Sequence, residues 1–520
     1  MSNSSKRFRE ADPGKLPPEG GGGAGTEGGD KLEFAAGPKA PAVVINRGDS
    51  YFRQQYTDAT WDDNFIQRIM PASSDGTKFV FYVPKLEGSQ HQYLNNMVLF
   101  LRGRILGKNG LTPTDNSKIA VINGQALVGR LRMAANGTTI IDTPQHSYPL
   151  LAYVGNLLNA STDRKMGVLT REGYHEDVYH PSQGTHGSEW EVLHVNSGWF
   201  LRRETFGETY SSAGKTHFAY RLTKYANYNI PLHTEFRGTL PMVSRVGAVV
   251  EITMSEPGFY LQCERKEIAD CLAKQYRFVV DSVHLKVPVK IMNASQALSL
   301  EKKLLSNPAE FDNIRTDLGK FLIPAGVRSF NTDQIKSFAV CPNRLIFFMM
   351  PDYQLDDPFG PSALKSVPYF EKKWSKEKIN NEEVWVPPDV ANRVYLSDAV
   401  LTINNQALHD INPSDPSMLV DEHFNVLYEV LGQDRGRGGA TRISRQDFAN
   451  GKFFLCYDLT KSGMGFMSGN VRQEVKQGAT KISLRFSGPL PTNVYLFALA
   501  EYHSKVKVTS SRTVYYSFID

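Results

Sequence analysis

Cysteine is scarce in this chain: the 520 residues hold four, Cys263, Cys271, Cys341 and Cys456. None forms the C-x-x-C pair of a zinc site or a redox motif, so buried thiols in a reducing compartment are expected, with no metal and no cofactor. Long apolar runs are missing as well. No stretch approaches the roughly eighteen apolar residues that cross a bilayer. The N-terminus has no apolar core of a secretory signal, so synthesis in the cytosol and no membrane span are expected. The sequons at Asn136, Asn159 and Asn293 then carry no weight, because glycosylation requires secretion. Excess charge is also lacking. A formal net charge of +5 is small for this length and argues against a strong nucleic-acid field over the body of the protein.

Catalytic patterns fail one after another on spacing. Gly214, Lys215 and Thr216 look like the end of a phosphate-binding loop, but that loop needs glycine where Thr209 stands, and Gly207 comes two positions too early. His175, Glu176, Asp177, His180, His186 and His194 form the densest histidine region. His175 and His180 are five apart with Pro181 next, which breaks the four-residue spacing that puts two imidazoles on one metal. A polar surface loop or a contact between subunits is the expectation there; in the latter case assembly would weaken on acidification. No G-x-S-x-G elbow occurs. Asp352, Asp356 and Asp357 crowd a turn at Pro358 and Gly360, where aspartate serves backbone hydrogen bonds and does not match a calcium loop. The short Arg435–Gly439 segment reads as a flexible loop. No catalytic, cofactor or metal residue is therefore assigned, and no enzyme is expected; surfaces are left to carry the function.

What is abundant is aromatic and turn-forming. Twenty-nine Phe and 23 Tyr favour strands, and 42 Gly with 28 Pro suit many tight connections. Residues 1–45 carry the basic cluster Lys6, Arg7 and Arg9 and the glycine run Gly20–Gly23, a composition that cannot offset its own ordering entropy, so a disordered arm is expected. Its cations suit nuclear import, a weak genome contact or a neighbouring shell protein. Beyond it, short apolar runs recur between turns: Phe79–Val83, Met97–Leu106, Ile119–Ile122, Thr138–Ile141 and Val246–Met254. A second series holds Phe278–Val289, Leu345–Met350, Val394–Ile403, Phe453–Tyr457, Ile482–Phe486, Val494–Ala500, Val506–Val508 and Val514–Phe518. Such spacing predicts all-β sandwiches or jelly rolls in two halves, 46–270 and 271–520, joined near Glu264–Lys274. Helices are predicted at Ser147–Leu158, Ser295–Leu305 and Ser417–Leu431, each packing an apolar stripe on a sheet edge.

Several segments resemble a known family. Ser147, Tyr148 and Pro149 through Tyr153 to Leu157 and Leu158 are similar to a Tyr-Pro helix ending in paired leucines. Asp357, Pro358 and Phe359 resemble an Asn-Pro-Phe turn with Asp replacing Asn. Tyr457, Asp458, Leu459 and Thr460 resemble a Phe-Asp-Leu-Thr segment, with Tyr457 the departure. Asn493 and Val494 through Leu499, Glu501 and Tyr502 look like a closing strand pair. These are features of the major capsid proteins of Maverick and Polinton elements, adintoviruses and adomaviruses. The resemblance, spread over about residues 75–520 and absent from the arm, implies a double jelly roll: two eight-stranded antiparallel β-sandwiches with a few short helices. It also implies a homotrimeric, pseudo-hexagonal capsomer of an icosahedral shell, assembled in the host cell, in the nucleus. Neighbouring capsomers and penton or minor capsid proteins are the implied partners. The connections Lys108–Ser117 and Met166–His194 are expected to supply contacts between copies. The rival readings are a pentameric vertex subunit with one jelly roll, a β-sandwich module binding receptor or glycan near Trp190 and Trp199, and a metal enzyme using the 175–194 histidines.

Overall fold

The computed structural model describes residues 60–112, 119–158, 160–176, 198, 201–202, 208–212, 215–219, 225–232, 241–263, 274–332, 335, 341–352, 366–371, 375–379, 382–386, 393–411, 416–431, 443–460 and 478–517. They fall in one compact unit that begins at Asp58.

The first half of the chain forms β1 (Trp61–Ile69), β2 (Ser73–Ser74), β3 (Lys78–Val83), β4 (Gln90–Gln92), β5 (Val98–Leu106), β6 (Ile119–Val121) and β7 (Val128–Ala135). It continues with β8 (Thr138–Asp142), β9 (Glu208–Ser212), β10 (Lys215–Ala219), β11 (Ala226–Pro231), β12 (Ala248–Met254), β13 (Leu261–Cys263) and β14 (Arg277–Met292). The second half holds β15 (Ala309–Ile323), β16 (Ser329–Asn331), β17 (Arg344–Pro351), β18 (Tyr369–Phe370), β19 (Ser375–Ile379) and β20 (Glu382–Val386). Then come β21 (Val394–Ile403), β22 (Gln406–Ile411), β23 (Leu455–Asp458), β24 (Thr480–Phe486), β25 (Val494–Val508) and β26 (Val514–Ser517).

Two-residue alternation explains why these segments are strands. In β3, Phe79, Phe81 and Val83 are buried, whereas Lys78 and Tyr82 face out. On β12, Val250 and Ile252 point inward; Glu251, between them, meets Lys78 and Arg132 on the outer face. Inward side chains from the two facing sheets, among them Leu99, Leu101, Leu285 and Val287 against Phe79, Phe81, Leu131 and Ile252, make one core.

The strand order is the jelly-roll permutation, twice. Take the principal strands of the first half as β1, β3, β5, β7, β8, β11, β12 and β14. One sheet then runs first, eighth, third, sixth (β1-β14-β5-β11), and the other second, seventh, fourth, fifth (β3-β12-β7-β8). The second half, taken as β15, β16, β17, β21, β22, β23, β24 and β25, repeats both orders: β15-β25-β17-β23, and β16-β24-β21 with β22 on β21. Both fourth-to-fifth connections are two-residue turns with positive φ, Asn136 (44°) and Gly137 (89°) in one, Asn404 (51°) and Asn405 (64°) in the other. That conformation matches the twist of the flanking strands and suits Asn and Gly.

Because neighbouring strands are antiparallel, the third-to-fourth and fifth-to-sixth connections of each sandwich leave from the same end. They span 107–127 and 143–225 in the first half and 352–393 and 412–454 in the second, and include the longest connection of each half. One end of each sandwich thus carries the two-residue fourth-to-fifth turn, and the other carries the longest insertions.

The join between the halves differs from the expected position near residues 264–274. β14 pairs with both β1 and β5 over most of its length, so it completes the first sandwich, and the helix Ala294–Ser306 follows as the link. Apolar residues starting at Phe278 look the same whether they close one sheet or open the next; only their partners distinguish the two. The apolar runs Val494–Ala500 and Val506–Val508 are one strand, β25, which stays paired to β15 through the polar stretch between them.

Candidate assembly surface

The two sandwiches meet along a buried seam. The meeting is reciprocal. Leu150, Val154, Leu157 and Leu158, from the helix Ser147–Leu158 of the first half, belong to the second core. Leu304, Phe311, Val506, Val508 and Val514, from the second half, belong to the first. The helix was expected to lay one stripe on a sheet edge; instead nine of its 12 residues are buried, because it is wedged between two cores. Tyr148 joins the first core while the leucines join the second.

At the end bearing the insertions, the two fifth-to-sixth connections clasp each other. Glu176 receives Lys165 at 3.2 Å from its own half and Lys452 from the other, and Lys452 also lies 3.8 Å from Asp447. Both lysines are nearly buried, at 5% and 6% side-chain exposure, so a shared carboxylate is needed to keep two ammonium groups out of water. Burial holds the Lys165 amine below its ordinary value against the pull of Glu176. Beside the clasp, the Tyr153 hydroxyl donates to the Gly451 carbonyl at 3.1 Å.

A second staple closes the opposite end. Asn136, in the first sandwich's Asn-Gly turn, donates to the Arg512 carbonyl at 2.9 Å, and Thr138 donates to the Val514 carbonyl at 2.7 Å. Arg512 in turn donates from Nε to the Ser244 carbonyl at 2.8 Å and from Nη2 to Glu301. Like ends therefore meet like ends, and the two sandwiches stand side by side the same way up.

The residues singled out from sequence fall as follows. Glu176 of the histidine region is the centre of the clasp. The His175 carbonyl accepts from Arg202 at 2.6 Å, and burial, with Arg202 near, lowers the imidazole pKa. Asp177, His180, His186 and His194 lie outside the described residues, as do Gly207, Gly214, Trp190, Trp199, Asp356, Asp357, Pro358, Gly360, Cys271, Asn159 and the 435–439 segment. Lys215 and Thr216 open β10, a strand paired to β9, where a phosphate loop would require the start of a helix. Asp352 accepts from Thr492 Oγ1 and Asn493 Nδ2, both at 2.9 Å, side chains 140 and 141 positions further along the chain, whereas hydrogen bonds to nearby backbone were expected of it. Cys341 and Cys456 are buried; the Cys341 thiol donates to the Gly478 carbonyl at 3.6 Å, and burial pushes Cys456 up to about 12. Asn293 caps the linking helix, its side chain accepting from Ser295 N. Among the described residues, no cluster of His, Cys, Asp or Glu could hold a metal ion, and no helix is long and apolar enough to cross a membrane. Composition did not single out Asn136 or Arg512 as joining residues, although the Asn-Gly pair is itself a hairpin signal.

Two sandwiches with this strand order, upright and fused along a buried seam, make the fold a double jelly roll. Solved structures share it at low sequence identity. A chain of the Sputnik virophage, seen by electron cryo-microscopy, matches with a TM-score of 0.54 and 11% identity, over 93% of this chain and 92% of that one. The Faustovirus major capsid protein matches with a TM-score of 0.51 and 10% identity, over 88% of this chain and 92% of its own. No protein-family model and no curated protein sequence matches the chain.

Proposed function

We propose that this chain is the major capsid protein of a DNA virus, three copies of which form a pseudo-hexagonal capsomer that tiles an icosahedral shell. One observation carries the reading: a single chain holds two jelly rolls of identical strand order, locked side by side with like ends together. Three such chains present six equivalent sandwiches, the arrangement that fills a hexagonal lattice with only three polypeptides. The likeness to the Faustovirus major capsid protein and to a Sputnik virophage chain, over nearly the whole of each chain, supports it.

This role asks for no catalytic group. Rigid sheets supply the scaffold, and the insertions at one end supply the variable surface. A pentameric vertex subunit with one jelly roll does not fit a chain with two. Assembly in the nucleus, a genome contact through Lys6, Arg7 and Arg9, and membership of the Maverick and adintovirus lineage belong to the same proposal, as do penton and minor capsid partners. Native mass spectrometry and negative-stain microscopy of the purified full-length chain test the central statement. Three copies in hexagonal particles or shells are expected; a monomer at all concentrations, or five copies, overturns it.

A further inference from the structure

The two sandwiches present equivalent faces that are treated differently. On the outer side of the β15-β25-β17-β23 sheet, Phe348 and Phe497 are direct cross-strand partners with rings stacked 4.9 Å apart. Phe348 meets Phe454 at 6.1 Å, and Phe454 meets Tyr153 of the helix Ser147–Leu158 at the same distance. This face is covered by the first sandwich, and β17 is buried on both its sides.

The corresponding position in the first sandwich is the pair Phe100 and His284, again direct partners on the third and eighth strands, stacked 4.6 Å apart. This pair is only half-buried, and beside it Lys286 donates to Asn229 Oδ1 at 2.8 Å. Around them the outward side chains are basic: Arg68 on β1, Arg102 and Arg104 on β5, Lys286 and Lys290 on β14. The guanidinium carbons of Arg102 and Arg104 sit 4.7 and 5.2 Å from the Tyr225 ring, and Lys286 sits 5.1 Å from Phe100. Asp281, 3.9 Å from Arg104, is the carboxylate set against them.

The covering elements are equivalent too. The helix Ser147–Leu158 lies in the fifth-to-sixth connection of its sandwich and is buried on two sides, one toward each core. The helix Pro416–Val430 lies in the same connection of the second sandwich. Its Leu419, His423, Leu427 and Val430 are buried, but Met418, Glu422, Asn425 and Glu429, spaced four, three and four apart along the opposite stripe, are exposed. An acidic stripe is open on one side of the molecule and a basic, aromatic face on the other.

We infer that these two open surfaces are halves of one head-to-tail interface: the Pro416–Val430 helix of one copy docks on the β1-β14-β5-β11 face of a second copy, repeating between chains the seam that joins the sandwiches within a chain. A heterologous contact closes into a ring when the rotation between copies divides a full turn and otherwise grows into a filament; the three-copy capsomer requires the former. Glu422 and Glu429 meet the Arg102, Arg104 and Lys286 region, which selects orientation and makes the contact salt-dependent. The inference rests on the proposed self-assembly and names the faces that perform it.

Charge reversal tests it on the full-length chain. R102E with K286E is expected to convert the three-copy species to single chains, and E422K with E429K to do the same. The four changes together are expected to restore the three-copy mass, which also shows that the parent variants fold. A wild-type chain that is single at every concentration overturns the proposed function itself. A three-copy wild type whose two double variants both keep three copies overturns only the docking surface. If R102E with K286E keeps three copies but loses retention on duplex DNA, the basic face serves nucleic acid and the inference is likewise overturned.

Discussion

Glu172 offers a prediction whose size can be worked from its surroundings. It ends the 3-10 turn Val168–Glu172 in the first sandwich's long insertion and is fully buried; its main-chain carbonyl accepts from Gly124 N at 2.6 Å. Neither carboxylate oxygen has a hydrogen bond of good geometry. Burial therefore dominates, against the opposing pull of the Gln125 amide and of Arg171 and Arg164, and pushes the group from 4.5 to about 8. Between those values the folded chain keeps the proton and the unfolded chain releases it. Stability from this group is complete below about pH 4.5 and falls by about 1.4 kcal/mol per unit as pH rises, reaching a loss of roughly 4–5 kcal/mol near pH 8. Glu172→Gln, which keeps shape and removes the charge, should match the wild type in melting temperature at pH 5 and exceed it progressively toward pH 8.5. For a chain this long, size scaling gives about 1–2 °C per kcal/mol, hence roughly 4–10 °C at the alkaline end. Thermal melts of both proteins across that range decide it, since all other titrations cancel in the difference. Parallel curves would refute the buried, protonated carboxyl.

The seam yields three further tests. Leu157→Ala, which removes a side chain of the first half from the core of the second, should cost about 2–5 kcal/mol in denaturant titrations; a loss under 1 kcal/mol would mean that the helix only rests on the surface. Glu176→Gln leaves Lys165 without its carboxylate partner and Lys452 with only Asp447, and should destabilise by roughly 3–5 kcal/mol, whereas Glu176→Gln with Lys165→Met should recover part of it in a double-mutant cycle. Gly103→Ala places a methyl 2.3 Å from the Val279 carbonyl and 2.7 Å from the Phe278 ring, so soluble yield and melting temperature should fall; an unchanged melt would show that the bulge beside Val280 can open.

Much of the architecture is legible in the sequence. The apolar runs at Phe79–Val83, Met97–Leu106 and Ile482–Phe486 are strands almost to the residue, because one buried face imposes a period of two that any reader of the chain can see. The Ser147–Leu158 helix is equally plain, since Val154 stands three and four positions from leucines on both sides, after a proline whose missing N–H is harmless. β15 is not legible. It spans Ala309–Ile323 with Asp312, Asn313, Arg315, Asp317 and Lys320 scattered along it, and it is a strand because β25 supplies 15 consecutive partners. Glu501 hides the continuity of β25 in the same way: it is buried only because Arg344 stands 2.7 Å away on the neighbouring strand.

The chain alone points to two sandwiches and to many of their central strands, because alternation and turn chemistry act over a few neighbouring residues. Which sandwich a strand completes, which core receives the Ser147–Leu158 helix, and that Glu176 and Asn136 join two halves, are decided by partners up to hundreds of residues away. Pairing energy depends on what lies opposite in space, and the linear order of residues does not contain that distance.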